Sequence, residues 1–418
     1  MEDSKILEII YTWQSYLKKK ELFDRDLLGK LIDNIGKEII DIIGIRRCGK
    51  SSLLNLLMRR IDVPDSQMLY INFEDPMFVN DLSIELMEKI WEVYRIKINP
   101  DKKPYIFFDE IQLIPKWEKW IRKIRDLELG YIFITGSSSK MISREFGATL
   151  TGRHISFTLF PLNFKEFLRF KGFNMFYDEK EITKNKLWIR KYFEEYLIKG
   201  GFPEIVLTDN EELLKNYFED ILYKDVILRH EIRDVNLLRR LANYCLTNLA
   251  QLTSINSLKN TFKVSFDAIR SYLNYLEESF LIFQISIFSY SLKVQQVNQK
   301  KIYCIDNGLR NAVSFKFSKD EGKLVENVVF LELLRQNKEI YYWKGKNEVD
   351  FVIKEIDASI TAINVTYTDE IHPREIQGLK EFKDQYTEEV KRLIIITKNI
   401  EKQEDMIKYI PVWKWLLK

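Results

Sequence analysis

Cysteine is scarce in this 418-residue chain: Cys48, Cys245 and Cys304 stand far apart, with no C-x-x-C pair. That spacing argues against a zinc cluster and against a disulfide framework, and it fits a reducing compartment. His154, His230 and His372 are the three histidines, and they show no metal-ligand spacing either. No run approaches 18 apolar residues, so no membrane span is expected. The start, Met1-Glu2-Asp3-Ser4, lacks the basic-then-apolar layout of a secretory leader, and the expected location is the cytoplasm. Glycine and proline, 15 and 9, are too few for a fibrous or disordered chain. Neither sign of charge dominates. The 65 basic and 62 acidic residues leave a formal charge of +3, which neither excludes nor advertises a nucleic-acid partner.

What is present is material for packed cores: 46% hydrophobic and 13% aromatic residues, in a chain too long for one core. From Ile39 to about Leu168, short β-rich runs alternate with helical patterns, which is the signature of a parallel α/β sheet. Strands are expected at Ile39–Ile43, Gln67–Phe73, Tyr105–Asp109, Tyr131–Thr135 and His154–Leu159, and a helix at Asn163–Phe170 behind Pro161. Beyond Lys171 the pattern is helical, broken at Lys199-Gly200-Gly201-Phe202-Pro203. Residues 237–278 read as three short helices, and β-rich 280–290 follows, a helix-turn-helix with a wing. Strands return from Lys300.

Gly44-Ile45-Arg46-Arg47-Cys48-Gly49-Lys50-Ser51 follows an expected strand and opens an expected helix, matching G-x-x-x-x-G-K-S. Each part has a physical task. The glycines let the backbone curl so that successive N–H groups face phosphate oxygens, and the helix adds its positive N-terminal end. Lys50 then reaches the β- and γ-phosphates and the Ser51 hydroxyl ligates Mg²⁺. Residues 44–52, Ser52 included, form the expected nucleotide-binding set, with Cys48 a small filler. Asp109 ends the later apolar strand where it can support the metal, and Glu110 where it can polarise an attacking water. Thr135, Ser137 and Ser138 end the next strand at the carboxyl edge of the sheet, as candidates to sense the γ-phosphate or orient the water, with capping of a following helix as the alternative. Arg153 offers a guanidinium to the transferred phosphoryl group.

With Gly44 to Ser52, Asp109-Glu110-Ile111-Gln112, Thr135 to Ser139 and Leu150-Thr151-Gly152-Arg153 in this order, the chain resembles the archaeal-type ATPase family. The match extends to Gly200-Gly201-Phe202-Pro203-Glu204, to Asp225 through Asp234 and to Gly345 through Phe351. The resemblance implies an α/β fold with an AAA-like P-loop core and an added strand between the Walker strands, then a winged-helix segment and a C-terminal domain like restriction-endonuclease folds. Domain expectations are a helical lead over 1–35, a P-loop NTPase core over 36–170, a helical lid over 171–235, a winged helix over 236–298 and a nuclease-like α/β domain over 299–418.

In nuclease-like folds a helical Glu, a strand Asp and an acid-x-Lys on the next strand gather around a metal. Here Glu326, Glu348 and Asp350 are present, but the acid-x-Lys position reads Asn364-x-Thr366, so the site is expected to be degenerate. The helix Phe266–Glu278 is expected to expose Asp267, Arg270, Asn274, Glu277 and Glu278, a poor surface for phosphates. Trp413 and Trp415 read as a docking edge.

The expected function is an ATP-binding, Mg²⁺-dependent ATPase acting as a switch or remodelling factor, with DNA or protein as a partner and oligomerisation open. Two alternatives stand beside it: an ATP-regulated nucleic-acid-binding or nuclease protein, and a nucleotide-gated interaction module with negligible hydrolysis.

Overall fold

A computed structural model describes residues 1–137, 152–174, 178–314 and 321–418. These divide into two compact units, Met1–Leu159 and Phe160–Lys418.

The first unit is built on a five-stranded parallel sheet: β1 (Ile39–Ile43), β2 (Met68–Asn72), β3 (Tyr105–Asp109), β4 (Tyr131–Gly136) and β5 (His154–Thr158). Their spatial order is β2-β3-β4-β1-β5. A central parallel strand is covered on both faces, which is why β1 is buried along its whole length and reads as an apolar run rather than an alternation. The order places β4 between β1 and β3, so the turns that follow all three strands open at one carboxyl edge. Helices α1 (Asp3–Lys19), α2 (Leu27–Ile32), α3 (Lys50–Arg60), α4 (Ile84–Lys97) and α5 (Trp117–Asp126) belong to the same unit. Trp117, Trp120, Ile121 and Ile124 recur at helical spacing and face the core, where Ile6, Ile9 and Ile10 of α1 also pack. The expected helical lead is thus part of this unit's core.

The second unit begins at Phe160. Phe164, Phe167 and Leu168 lie in a helix opened by a capping box of Asn163 and Glu166, and they pack with Phe193, Phe330 and Trp413 of the second unit. Trp413 is therefore a core residue and not a docking edge, and Trp415 packs partly buried against the same cluster. Helices Val235–Thr247, Ile255–Phe262 and Phe266–Glu278 are joined to a three-stranded antiparallel sheet, β6 (Leu252–Thr253), β7 (Ile282–Ile285) and β8 (Lys300–Cys304), in the order β6-β8-β7. The expected boundary at 298/299 thus cuts off a strand that pairs with what precedes it. Glu277 and Glu278 leave the exposed face expected for them: Glu278 is buried, and Glu277 accepts from the Gln284 backbone N at 3.0 Å.

The chain ends in a mixed six-stranded sheet of order β13-β14-β12-β11-β10-β9. Its strands are β9 (Glu339–Lys344), β10 (Glu348–Lys354), β11 (Ile360–Val365), β12 (Val390–Thr397), β13 (Lys402–Glu404) and β14 (Ile407–Pro411). The helix Glu321–Arg335 precedes it, and Pro373–Gln385 connects β11 to its parallel neighbour β12.

Candidate functional site

The loop between β1 and α3 has the backbone its glycines were read to allow. Gly49 caps α3 at φ 102° and Gly44 has φ 154°. A Cβ on Gly44 would lie 2.1 Å from the Leu159 carbonyl oxygen and 3.1 Å from Cys48 Sγ, so no other residue fits the curl. Cys48 is fully buried, and burial pushes its thiol pKa up, which suits a filler rather than a nucleophile. Its carbonyl accepts from the buried Arg25 guanidinium at 3.0 Å, a support from the segment before α2 that the sequence did not signal. Arg46 donates to Glu74 at 2.8 Å, and Arg47 adopts φ 70°.

Lys50 is buried in the first turn of α3. Its Nζ donates to the carbonyls of Gly44 at 3.0 Å and Ile45 at 3.2 Å, and lies 3.7 Å from Glu110 Oε1. Ser51 and Ser52 share that turn and are half-buried.

The carboxylates come from the end of β3. Tyr70 of β2 donates to Asp109 Oδ2 at 2.9 Å, and Thr135 of β4 donates to Asp109 Oδ1. The Thr135 hydroxyl also accepts from the Glu110 backbone N at 3.0 Å. Glu110 itself has φ 54° and ψ 45°, left-handed backbone that a non-glycine residue adopts only when its surroundings impose it. Burial raises the Glu110 pKa, the Lys50 ammonium opposes that rise and Asp109 adds to it. Gln112 donates to Glu110 Oε2 and, at 3.4 Å, to the buried Ser137 hydroxyl. Tyr70 and Gln112 were given no role by sequence reasoning. Gln112, two residues after Glu110, had a local signal, whereas Tyr70 reaches Asp109 only through strand pairing.

Of the expected residues, Lys50, Asp109, Glu110, Thr135 and Ser137 are linked by these contacts at the carboxyl edge, with Ser51 next to Lys50. Ser138 lies outside the described residues. Arg153 is not brought there. It precedes β5, its carbonyl accepts from Ile39 N, and its guanidinium meets both Asp126 oxygens at 3.1 Å at the end of α5. Because β1 and β5 are parallel and in register from Ile39↔His154 to Ile43↔Thr158, Arg153 is at the amino edge, the length of a strand from this loop. The catalytic expectation for Arg153 at its own chain's loop is corrected by that topology. In the second unit, Glu326, Glu348 and Asp350 are brought together, around Lys301 of β8.

The donor set fits a nucleotide with Mg²⁺: curled backbone at a helix start, an ammonium, a hydroxyl on the first helical turn and a carboxylate fixed at both oxygens. Fold and loop together define a P-loop ATPase domain of the AAA type, and residues 36–168 match the family model described as an AAA domain. Residues 190–320 and 321–415 match two models described as domains of unknown function.

An uncharacterized protein of Methanocaldococcus jannaschii is 37% identical over 442 residues, covering 100% of this chain and 96% of its own, and the chain belongs to its family. An uncharacterized protein of Haemophilus influenzae is 29% identical, covering 96% of this chain and 100% of its own. Among solved structures, the Aeropyrum pernix ORC1 protein in complex with DNA has a TM-score of 0.34 at 11% identity, covering 70% of this chain and 92% of its own. Cdc6p from Pyrobaculum aerophilum has a TM-score of 0.31 at 10% identity, covering 76% and 98%. No helix among the described residues is long and apolar enough to cross a membrane.

Proposed function

We propose that the chain binds ATP with Mg²⁺ at the loop 44–52 and hydrolyses it, and that the nucleotide state drives a switch or remodelling activity. Lys50 and the loop amides hold the phosphates, while Ser51 and Asp109 hold the metal, which supplies charge neutralisation for the departing phosphates. Glu110 orients and deprotonates the attacking water. The observation that carries this reading is the placement of Glu110. A strained left-handed residue points its carboxylate to within 3.7 Å of the Lys50 ammonium, and Thr135 and Gln112 hold it there. A module that only gated binding would have no need of such a base.

The domain reading continues in the second unit, as a helical lid, a winged helix and a nuclease-like α/β domain. The sheet order β6-β8-β7 behind three helices supports the winged-helix reading. With Glu277 and Glu278 withdrawn, the exposed side of Phe266–Glu278 carries Asp267 paired with Arg270 at 2.9 Å, and Asn274. That face is close to neutral, which favours a protein partner over a phosphate backbone.

The test is ATP turnover by the whole chain and by Glu110→Gln, alone and with DNA, RNA or cell extract. Turnover that depends on Mg²⁺ and collapses in the variant supports hydrolysis. Phosphate release indifferent to Glu110→Gln would return the protein to the class of non-hydrolysing modules.

A further inference from the structure

The acids read as a degenerate metal site converge, and a side chain stands at their centre. Lys301, on β8, is 1% exposed. Its Nζ lies 2.6 Å from Glu348 Oε1, 3.0 Å from Asp350 Oδ1 and 3.1 Å from Glu326 Oε1. The partners come from separate elements: Glu326 from the helix Glu321–Arg335, the other two from β10, and the lysine from the three-stranded sheet. Around them, Tyr303 donates to Glu326 Oε1 at 2.7 Å, and the Val365 N–H donates to Asp350 Oδ2 at 2.9 Å. Asn364 accepts from Asp350 N at 3.0 Å and donates to Glu375 Oε2 at 3.1 Å.

Three carboxylates held this close repel one another, and Glu326 and Asp350, at 13% and 15% exposure, also lose most of their hydration, so a cation among them is favoured. An ammonium has three N–H donors, and here it meets three carboxylates at charge-assisted hydrogen-bond distance. Burial works against the charge on Lys301, but Asp350, Glu326 and Glu348 outweigh it and hold the ammonium well above the usual lysine range. A divalent ion would need the same oxygens at roughly 2.0–2.6 Å from its centre, in the volume the ammonium fills. One cation excludes the other.

We infer that Lys301 is the resident cation of this pocket. Its ammonium takes the place of a divalent metal and ties the three-stranded sheet to the helix Glu321–Arg335 and to β10. The lysine that an acid-x-Lys strand would have supplied enters instead from β8, where it neutralises the acids rather than assisting a metal. The pocket is a clamp between two parts of the second unit, closed to metal-dependent hydrolysis.

The experiment counts Mn²⁺ bound by the full nucleotide-free chain, using electron paramagnetic resonance. Lys301→Met is expected to take up one more Mn²⁺ per chain than the natural protein, and its melting temperature is expected to rise on adding Mn²⁺. The added site should vanish in Lys301→Met combined with Asp350→Asn. In the natural background, Asp350→Asn should leave the Mn²⁺ count unchanged, a reading that does not require Lys301→Met to fold. Loss of one Mn²⁺ from the natural chain on Asp350→Asn would overturn the inference. So would a folded Lys301→Met chain that gains none.

Discussion

The hydroxyl of Thr135 holds Glu110 by its backbone, accepting from the Glu110 N–H at 3.0 Å while donating to Asp109. One side chain at the end of β4 thus orients both acids at the end of β3, and it can do so because the sheet order sets those strands side by side. Thr135→Val keeps the shape and removes both bonds. Two buried groups lose a partner, at about 1–3 kcal/mol each, so a stability loss of that order is expected in urea titrations. ATP turnover should fall further than nucleotide affinity, because the acids and not the loop are released. Equal losses in both would assign Thr135 to the loop instead.

Lys50 and Glu110 are expected to separate binding from chemistry. Lys50→Ala removes an ammonium aimed at the phosphates and should weaken ATP binding by about 10- to 100-fold, the worth of about one charge-assisted hydrogen bond. Glu110→Gln should retain ATP while turnover drops by about 10²- to 10⁴-fold. Calorimetric titration and phosphate release on the two variants check this, and an unchanged affinity in Lys50→Ala counts against the site.

Asp41 gives a pH dependence of stability. It is buried in β1, accepts from Ser156 Oγ at 2.8 Å, and burial, against that bond, pushes its carboxyl up to about 6. A carboxyl raised above its unfolded value adds stability below that value, near pH 4, and loses it as pH rises through about 6. The contribution lost is of the order of 3 kcal/mol for two pKa units. Asp41→Asn should therefore gain stability over the natural chain by about that much between pH 4 and pH 7. A difference independent of pH in paired denaturation curves would show that Asp41 ionises normally.

Gly44→Ala should disable the loop. The added Cβ would stand 2.1 Å from the Leu159 carbonyl, so β1 and β5 must part or the loop must unwind. The expected cost exceeds about 1 kcal/mol, with nucleotide binding lost alongside. Retained binding at natural stability would mean that the curl is not required.

Arg153→Ala should leave turnover of a dilute sample unchanged, because its guanidinium belongs to Asp126 at the amino edge. The ion pair is part-exposed and worth about 0–1 kcal/mol, so stability should hardly move. A loss of turnover appearing only at high protein concentration would show Arg153 acting on a neighbouring molecule.

The contrast between Arg153 and Thr135 shows where reading the sequence stops. Both were singled out by their place next to an expected strand. Thr135 follows the interior of β4 and arrives at the carboxyl edge, whereas Arg153 precedes β5 and is left at the opposite one. Lys301 makes the same point in the second unit: the acid-x-Lys position lacks its lysine at Thr366, and the lysine that meets the acids comes from β8, nearly fifty residues before Asp350. Helical spacing puts Glu277 and Glu278 on an exposed face, yet both turn inward, Glu277 to the Gln284 backbone and Glu278 to within 3.4 Å of His230 Nε2.

By itself the sequence determined what is local. An apolar run followed by Gly44 to Ser51 makes a strand, a curl and a helix start, because the φ values of two glycines and the dipole of one helix suffice. Tertiary structure alone decided which carboxylate meets which cation. Lys50 meets Glu110 across an intervening strand, and Lys301 meets Glu326, Glu348 and Asp350 from another sheet. Such pairings depend on strand order and on the cost of burying charge, and neither is written in the spacing of residues along the chain.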